Sequence, residues 1–200
     1  MARTKVTVTI DQNKLVKELS KGSNNKVTSK LVETEVSKKV KDSKEKMLAE
    51  FSNHPVTQEI DSGPDASNSS NTLGGYGNLY SFIGFSRGDQ PTANIKKELS
   101  KRVYTKTRKG AKAGSYRVET NTPTQVQLEE MGQIPWASGL SWVRGIEKGI
   151  SGLGQYLYKR RPSRVSRSGS AVQTKNNSGR RFSSTNYLSN IYRRFRDRIK

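Results

Sequence analysis

The chain has no cysteine and a single histidine, His54. The first absence excludes a disulfide framework, a thiolate zinc site and a cysteine nucleophile. The second excludes a multi-histidine metal centre and leaves only His54 for any Ser-His-Asp arrangement. Acidic residues are scarce, 17 Asp+Glu against 37 Lys+Arg, for a net charge of +20 over 200 residues. They are also scattered and interleaved with lysine. Glu129 and Glu130 are the only adjacent pair, and neighbours on a helix point in different directions. Paired-carboxylate catalysis finds no constellation, and an enzyme is not expected. No apolar run approaches the roughly 18 residues of a membrane span, and the start, MARTKVTVTIDQNKL, lacks the apolar h-region of a signal peptide. The expectation is a soluble protein with no cofactor and no membrane partner. Hydrophobic residues are only 30% of the chain, so a modest core with extended arms is predicted rather than one tightly packed unit.

The charge that is present is segregated. Residues 95–118 carry nine basic side chains against Glu98 alone, and residues 159–200 carry thirteen against Asp197 alone. Together these blocks equal the whole net charge. Such segregation predicts faces or arms that meet acidic partners.

Periodicity gives the elements. Val6, Val8 and Ile10 alternate with threonines, which predicts a short strand in an N-terminal arm over residues 1–24. From about Thr28 to Asn53 the spacing is helical, with Val32, Val36, Val40, Met47 and Phe51 on one face and Ser43 interrupting it. Asn53-His54-Pro55 ends this helix, where His54 can face the helix dipole. The polar stretch DSGPDASNSSNT is loop chemistry. Leu79–Phe85 is the most apolar and aromatic stretch and reads as a buried strand or docking segment. Pro91 opens a helix through Lys101. Val103–Lys106 and Ser115–Glu119 are strands around a basic hairpin. A short helix runs from Pro123-Thr124-Gln125 to Met131 and another over about Ser138–Leu153, with Gln155–Tyr158 a further strand. Residues 159–182 form a basic Ser/Arg/Gly-rich loop. Residues 183–200 end the chain in an amphipathic helix with Leu188, Ile191, Tyr192, Phe195 and Ile199 on one face, capped by Ser183, Ser184 or Thr185. The fold class is α+β: a core domain over 25–158 with a long N-terminal helix, a small antiparallel sheet, later helices, extended basic arms and a C-terminal amphipathic helix.

Two glycine patterns resemble known motifs only in part. Gly75-x-Gly77 lacks the third glycine of a dinucleotide fingerprint, since position 80 is tyrosine, and no P-loop lysine follows. It reads as a glycine turn. Gly145 and Gly149 share a helix face that Arg144, Glu147 and Lys148 make unsuited to lipid, so close approach of another element is the expectation. The basic tail has two readings. Lys159, Arg160, Arg161, Arg164 and Arg167 can neutralise phosphates beside the aromatic surfaces of Tyr156, Tyr158, Phe182, Tyr187 and Tyr192. The same arginines and the terminal helix can instead dock on a protein. No nucleic-acid-binding signature decides between them.

Four stretches, FSNHPVTQEI (51–60), TLGGYGNLYSFIGF (72–85), IPWASGLSWVRGIEKGISGLGQYLY (134–158) and SRSGSAVQTK (166–175), resemble minor virion proteins of tailed bacteriophages. The similarity is to neck and tail-completion (head–tail connector) proteins. It implies a long helix followed by a small sheet and a further helix, homo-oligomeric rings at the portal–tail junction, and no active site. The neighbours it implies are portal, neck or tail proteins, with possible contact to DNA in the channel. On this expectation Phe82, Phe85, Trp136, Trp142, Leu188, Ile191 and Phe195 anchor interfaces. Arg160, Arg161, Arg164, Arg167, Arg193, Arg194 and Arg196 supply electrostatic docking or face DNA. The alternative is a basic protein that coats or condenses phage DNA.

Overall fold

The computed structural model describes residues 25–73, 78–109, 116–134, 139–148 and 184–199. The predicted N-terminal arm and its strand, the Gly75-x-Gly77 turn, Gln155–Tyr158 and the basic loop 159–182 lie outside the described residues. The fold is α+β. Helix α1 (Asn25–Asn53) is followed by α2 (Pro55–Asp61), a 3-10 turn (Gly63–Asp65), α3 (Leu79–Ile83) and α4 (Pro91–Arg102). Strands β1 (Tyr104–Lys109) and β2 (Tyr116–Asn121) come next, then α5 (Gln125–Glu130), α6 (Trp142–Lys148) and α7 (Leu188–Ile199).

The α1 stripe is Val36, Val40, Ser43, Met47 and Phe51, all buried. Ser43 therefore continues the apolar seam rather than interrupting it. The hydroxyl is small enough to sit where a larger side chain would part the packing. The stripe faces α7, and α1 also supports α2, α4 and the ribbon. Helix α7 delivers Leu188, Ile191, Tyr192, Phe195 and Ile199 to the same core. The two ends of the described chain thus pack on each other, and the middle elements fill around them.

The Leu79–Phe85 stretch is corrected from strand to helix. Asn78 caps α3 by accepting from the Ser81 amide (2.9 Å), and Gly84 ends it in the left-handed region at φ 92°. Only glycine takes that conformation without strain. The capping amide also donates to the carbonyls of Pro64 (2.7 Å) and Ala66 (3.1 Å), tying the polar loop to the helix start. The hinge of that loop is Glu59 on α2, which is buried. One of its oxygens accepts from the Ser70 amide (2.8 Å) and the other from the Leu79 amide (2.7 Å). A single carboxylate so holds the loop and α3 against α2.

Helix α5 begins with a capping box. Thr124 Oγ1 accepts from the Gln127 amide (3.3 Å), and Gln127 Oε1 accepts from the Thr124 amide (3.0 Å). Gly132 permits a close approach, since a Cβ there would overlap the Val143 side chain of α6. Gly145 is half-buried on α6, and Gly149 lies outside the described residues.

Two stability predictions follow from these contacts. Phe195→Ala should cost about 3–5 kcal/mol, because it opens a cavity between α1 and α7. It is read as a lower urea midpoint with unchanged slope. Glu59→Ala leaves the buried Leu79 amide without its acceptor, at about 1–3 kcal/mol, and the half-buried Ser70 amide at less. Glu59→Gln, which keeps one acceptor, should fall between that variant and wild type in the same urea titration.

Candidate functional site

The described residues present two basic surfaces, one on the ribbon and one on α7. The ribbon pairs Tyr104 with Asn121, Lys106 with Glu119 and Arg108 with Arg117. Period two puts Tyr104, Lys106 and Arg108 on one face, and all three are exposed, Tyr104 at 42%. The Lys106 ammonium lies 5.4 Å from the Tyr104 ring centroid, a cation–π contact. Arg108 reaches Glu119 at 3.5 Å. The opposite face is turned to α1, where Ser37 and Thr105 hydroxyls meet at 3.4 Å. The root is clamped by Lys44 Nζ donating to the Val103 carbonyl (3.2 Å) and Asn121 Nδ2 donating to the Arg102 carbonyl (2.7 Å). Among the described residues neither strand pairs with any third strand.

Helix α7 shows where its four arginines go. Arg194 pairs with Glu50 of α1 (Nε to Oε2, 3.3 Å), and Arg198 donates to the other oxygen of the same carboxylate. Arg193 is exposed and donates to Asn190 Oδ1 (2.9 Å). Arg196 is half-buried, and its Nε has no acceptor. The start of α7 is held from another element. The Glu147 carboxylate of α6 accepts from the Ser189 amide (2.7 Å), and the Ile146 carbonyl accepts from the Thr185 amide (3.0 Å). Ser184 is exposed and Thr185 turns its hydroxyl toward Thr72 (3.5 Å), so neither is the cap that local sequence predicts. Ser183 lies outside the described residues. An acidic side chain at a helix start also complements its dipole.

The expected anchors are placed in the chain's own core. Phe85, Trp142, Leu188, Ile191 and Phe195 are buried, and Phe82 packs half-buried against them. The role of a free docking helix is therefore corrected, because the apolar stripe of α7 is consumed by α1 and the core. Of the expected electrostatic residues, Arg193 and Arg194 are exposed and Arg196 is half-buried. Trp136, Arg160, Arg161, Arg164 and Arg167 lie outside the described residues. Sequence reasoning did not find the exposed apolar Val126 of α5, 64% exposed, or the Tyr104 face. The alternation from Tyr104 to Arg108 was the available signal for the latter.

Between the end of α1 and α7 lies an open depression of about 440 Å³ bordered by Lys46, Glu50, Asn53, His54 and Arg194. His54 sits in its wall and differs from the expectation of a charged group at a helix end. Its Nδ1 accepts from the Val56 amide (3.3 Å), so it is the N-cap of α2. Its ring lies 4.8 Å from that of Tyr187. Burial pushes the imidazole pKa below its ordinary value of 6.5; the Asn186 backbone opposes this and Arg194 adds to it. Tyr187 itself is fully buried, and burial pushes its phenol far up. Among the described residues no group of three or more His, Asp or Glu side chains could hold a metal ion. No helix among them is long and apolar enough to cross a membrane.

Because the folded pKa of His54 is depressed, its contribution is fully present above pH 6.5 and is lost as pH falls through the folded value. Protonation turns Nδ1 from acceptor into donor and removes the cap. Urea midpoints of the wild type should therefore drop on acidification below pH 6.5. His54→Asn, whose Oδ1 can take the place of Nδ1, should flatten the profile between that point and the carboxylate range. An unchanged slope of midpoint against pH in the variant would contradict the capping role.

No protein-family model matches this chain, and no curated protein or solved structure matches it either.

Proposed function

We propose that the chain is a non-enzymatic structural subunit of a tailed-bacteriophage virion. Its place is a homo-oligomeric ring in the neck, as a connector or tail-completion protein between the portal side of the head and the tail. The observation that carries this reading is the ribbon. It stands on a helical body whose large apolar side chains are, Val126 apart, mostly buried among the described residues, and it offers Tyr104, Lys106 and Arg108 on an exposed face. An outward tyrosine with an arginine on the same face is a composition enriched at protein interfaces. Val126 on α5 adds an exposed apolar contact away from the core. The resemblance of four stretches to neck and tail-completion proteins supplies the assembly.

The test separates docking from folding. Substitutions in the core, such as Ile191→Asp, would unfold the chain and say nothing about a partner. Tyr104→Ala and Val126→Glu change exposed side chains and should leave stability within about 0.5 kcal/mol. Together they should lower incorporation into particles, or self-assembly followed by light scattering, by about tenfold or more. Normal incorporation of the folded double variant would reject the ribbon and α5 as contact surfaces.

A further inference from the structure

Beside its buried stripe, α1 carries Lys46, Ala49, Glu50 and Asn53, spaced i, i+3, i+4 and i+7 on one face. Glu50 is half-buried and the other three are exposed. With Arg194 of α7 and Pro55 at the start of α2 they border the open depression of about 440 Å³. That volume lies within the roughly 300–1,000 Å³ of pockets that take ligands. The carboxylate in it is already spent, since Arg194 and Arg198 share Glu50. Lys46, one turn before Glu50, is left without a counter-charge among the described residues. Arg194 turns its Nε to Glu50 at 3.3 Å, and its terminal nitrogens meet no other acceptor among those residues. Both cations are exposed.

The depression thus sets two cationic donor groups beside apolar surface. An ammonium brings three donors, and a guanidinium with its Nε engaged still brings its terminal ones. Ala49, Pro55 and the methylene stems of Lys46 and Arg194 supply the apolar part. A carboxylate on a short apolar stem, as in glutamate, matches both halves through charge-assisted hydrogen bonds. The flanks decide its source. Asp42, one turn before Lys46, Glu45 beside it and Asp197 of α7 are all exposed. A continuous line of phosphates would run against these carboxylates, whereas a single acidic side chain set among neutral ones does not. A second copy of the chain is a poor donor of that side chain. It brings the same net +20, and its Asp65, Glu98, Glu119 and Glu129 are already in ion pairs, like Glu50.

We propose that this depression docks an acidic segment of a different protein, with a glutamate or aspartate carboxylate held by Lys46 and Arg194 and its stem against Ala49 and Pro55. This goes beyond the virion reading and does not rest on it, since the contact surfaces of that reading are the ribbon and α5.

The experiment uses the full chain and a fluorescein-labelled peptide, Gly-Leu-Asp-Glu-Leu-Glu-Gly, with Gly-Leu-Asn-Gln-Leu-Gln-Gly as its neutral control. Binding is followed by anisotropy at about 50 mM salt, where surface charges are weakly screened. The control should bind at least about tenfold more weakly than the acidic peptide. Lys46→Gln and Arg194→Gln should each weaken binding of the acidic peptide about two- to fivefold, the range of exposed ion pairs. Ala49→Glu keeps a good helix former at an exposed position and sets a fixed carboxylate in the depression. It should weaken binding about tenfold or more with an unchanged Tm. Lys41→Gln removes an exposed charge of α1 outside the depression and should bind like wild type. Equal peptide affinity in wild type and Ala49→Glu would overturn the proposal. So would a loss in Lys41→Gln as large as that in Lys46→Gln, the mark of attraction to net charge alone. Duplex DNA binding that Ala49→Glu weakens, with no peptide binding, would overturn the protein assignment in favour of nucleic acid. A mass by light scattering that falls in Ala49→Glu, again with no peptide binding, would overturn it in favour of a second copy.

Discussion

The packing of Tyr187 is the constraint on which the rest of the fold depends. Its ring lies 5.9 Å from Phe51 at the end of α1, 4.8 Å from His54 at the junction with α2, and 6.2 Å from Trp142 of α6. Its hydroxyl meets Thr57 of α2 at 2.6 Å. Four parts of the chain converge on one side chain that immediately precedes α7. A buried phenol must keep its hydrogen bond, so Thr57 fixes not only the depth of the ring but its direction. Once Tyr187 is set, the start of α7 is set with it. Glu147 then reaches the Ser189 amide, and the stripe from Leu188 to Ile199 falls onto α1. The contact between Thr57 and Tyr187 spans 130 residues. Non-local contacts of this kind are associated with slower folding.

This geometry also explains which features were legible in the sequence. Helices α1, α4, α5 and α7 and the ribbon follow from period and punctuation. Pro91 opens α4, and Thr124 with Gln127 forms the capping box of α5. Those signals are local, and the local energetics agree with the fold. Leu79–Phe85 was not legible by its apolarity, because a short run of buried side chains serves strand and helix alike. The deciding marks were its flanks, Asn78 to accept an amide and Gly84 to leave the helix. His54 was misread for a related reason. It closes one helix and opens the next, and only the position of its Nδ1 beside the Val56 amide decides between them.

The anchors were a different kind of failure. The spacing of Leu188, Ile191 and Phe195 shows that a face will be buried but not what buries it. An amphipathic terminal helix reads the same whether its groove belongs to a partner or to its own chain. Here the groove is α1, and the signal that pairs them, Glu50 with Arg194 and Arg198, links residues 144 or more apart. No pattern in one sequence reports such a pairing. Glu59 is similar, since a lone glutamate among polar neighbours gives no hint that both its oxygens hold backbone amides.

With the apolar surface largely spent inside, charge is what the described surface has left to offer. Seventeen acidic residues cannot neutralise thirty-seven basic ones, so most cations must face water or an external anion. Glu50 shows the saturation directly, as one carboxylate takes two arginines. A surplus of this size opposes the approach of identical chains, and salt weakens that opposition only beyond about a Debye length. If such chains form a ring, its assembly must bring the counter-charge with it, from an acidic neighbour or from nucleic acid. The same surplus that keeps free subunits apart then favours association at the place where an anion is waiting. Contact through charge also makes the encounter faster and more salt-sensitive than contact through an apolar patch. The exposed Tyr104 and Val126 are left to supply the short-range packing that charge does not.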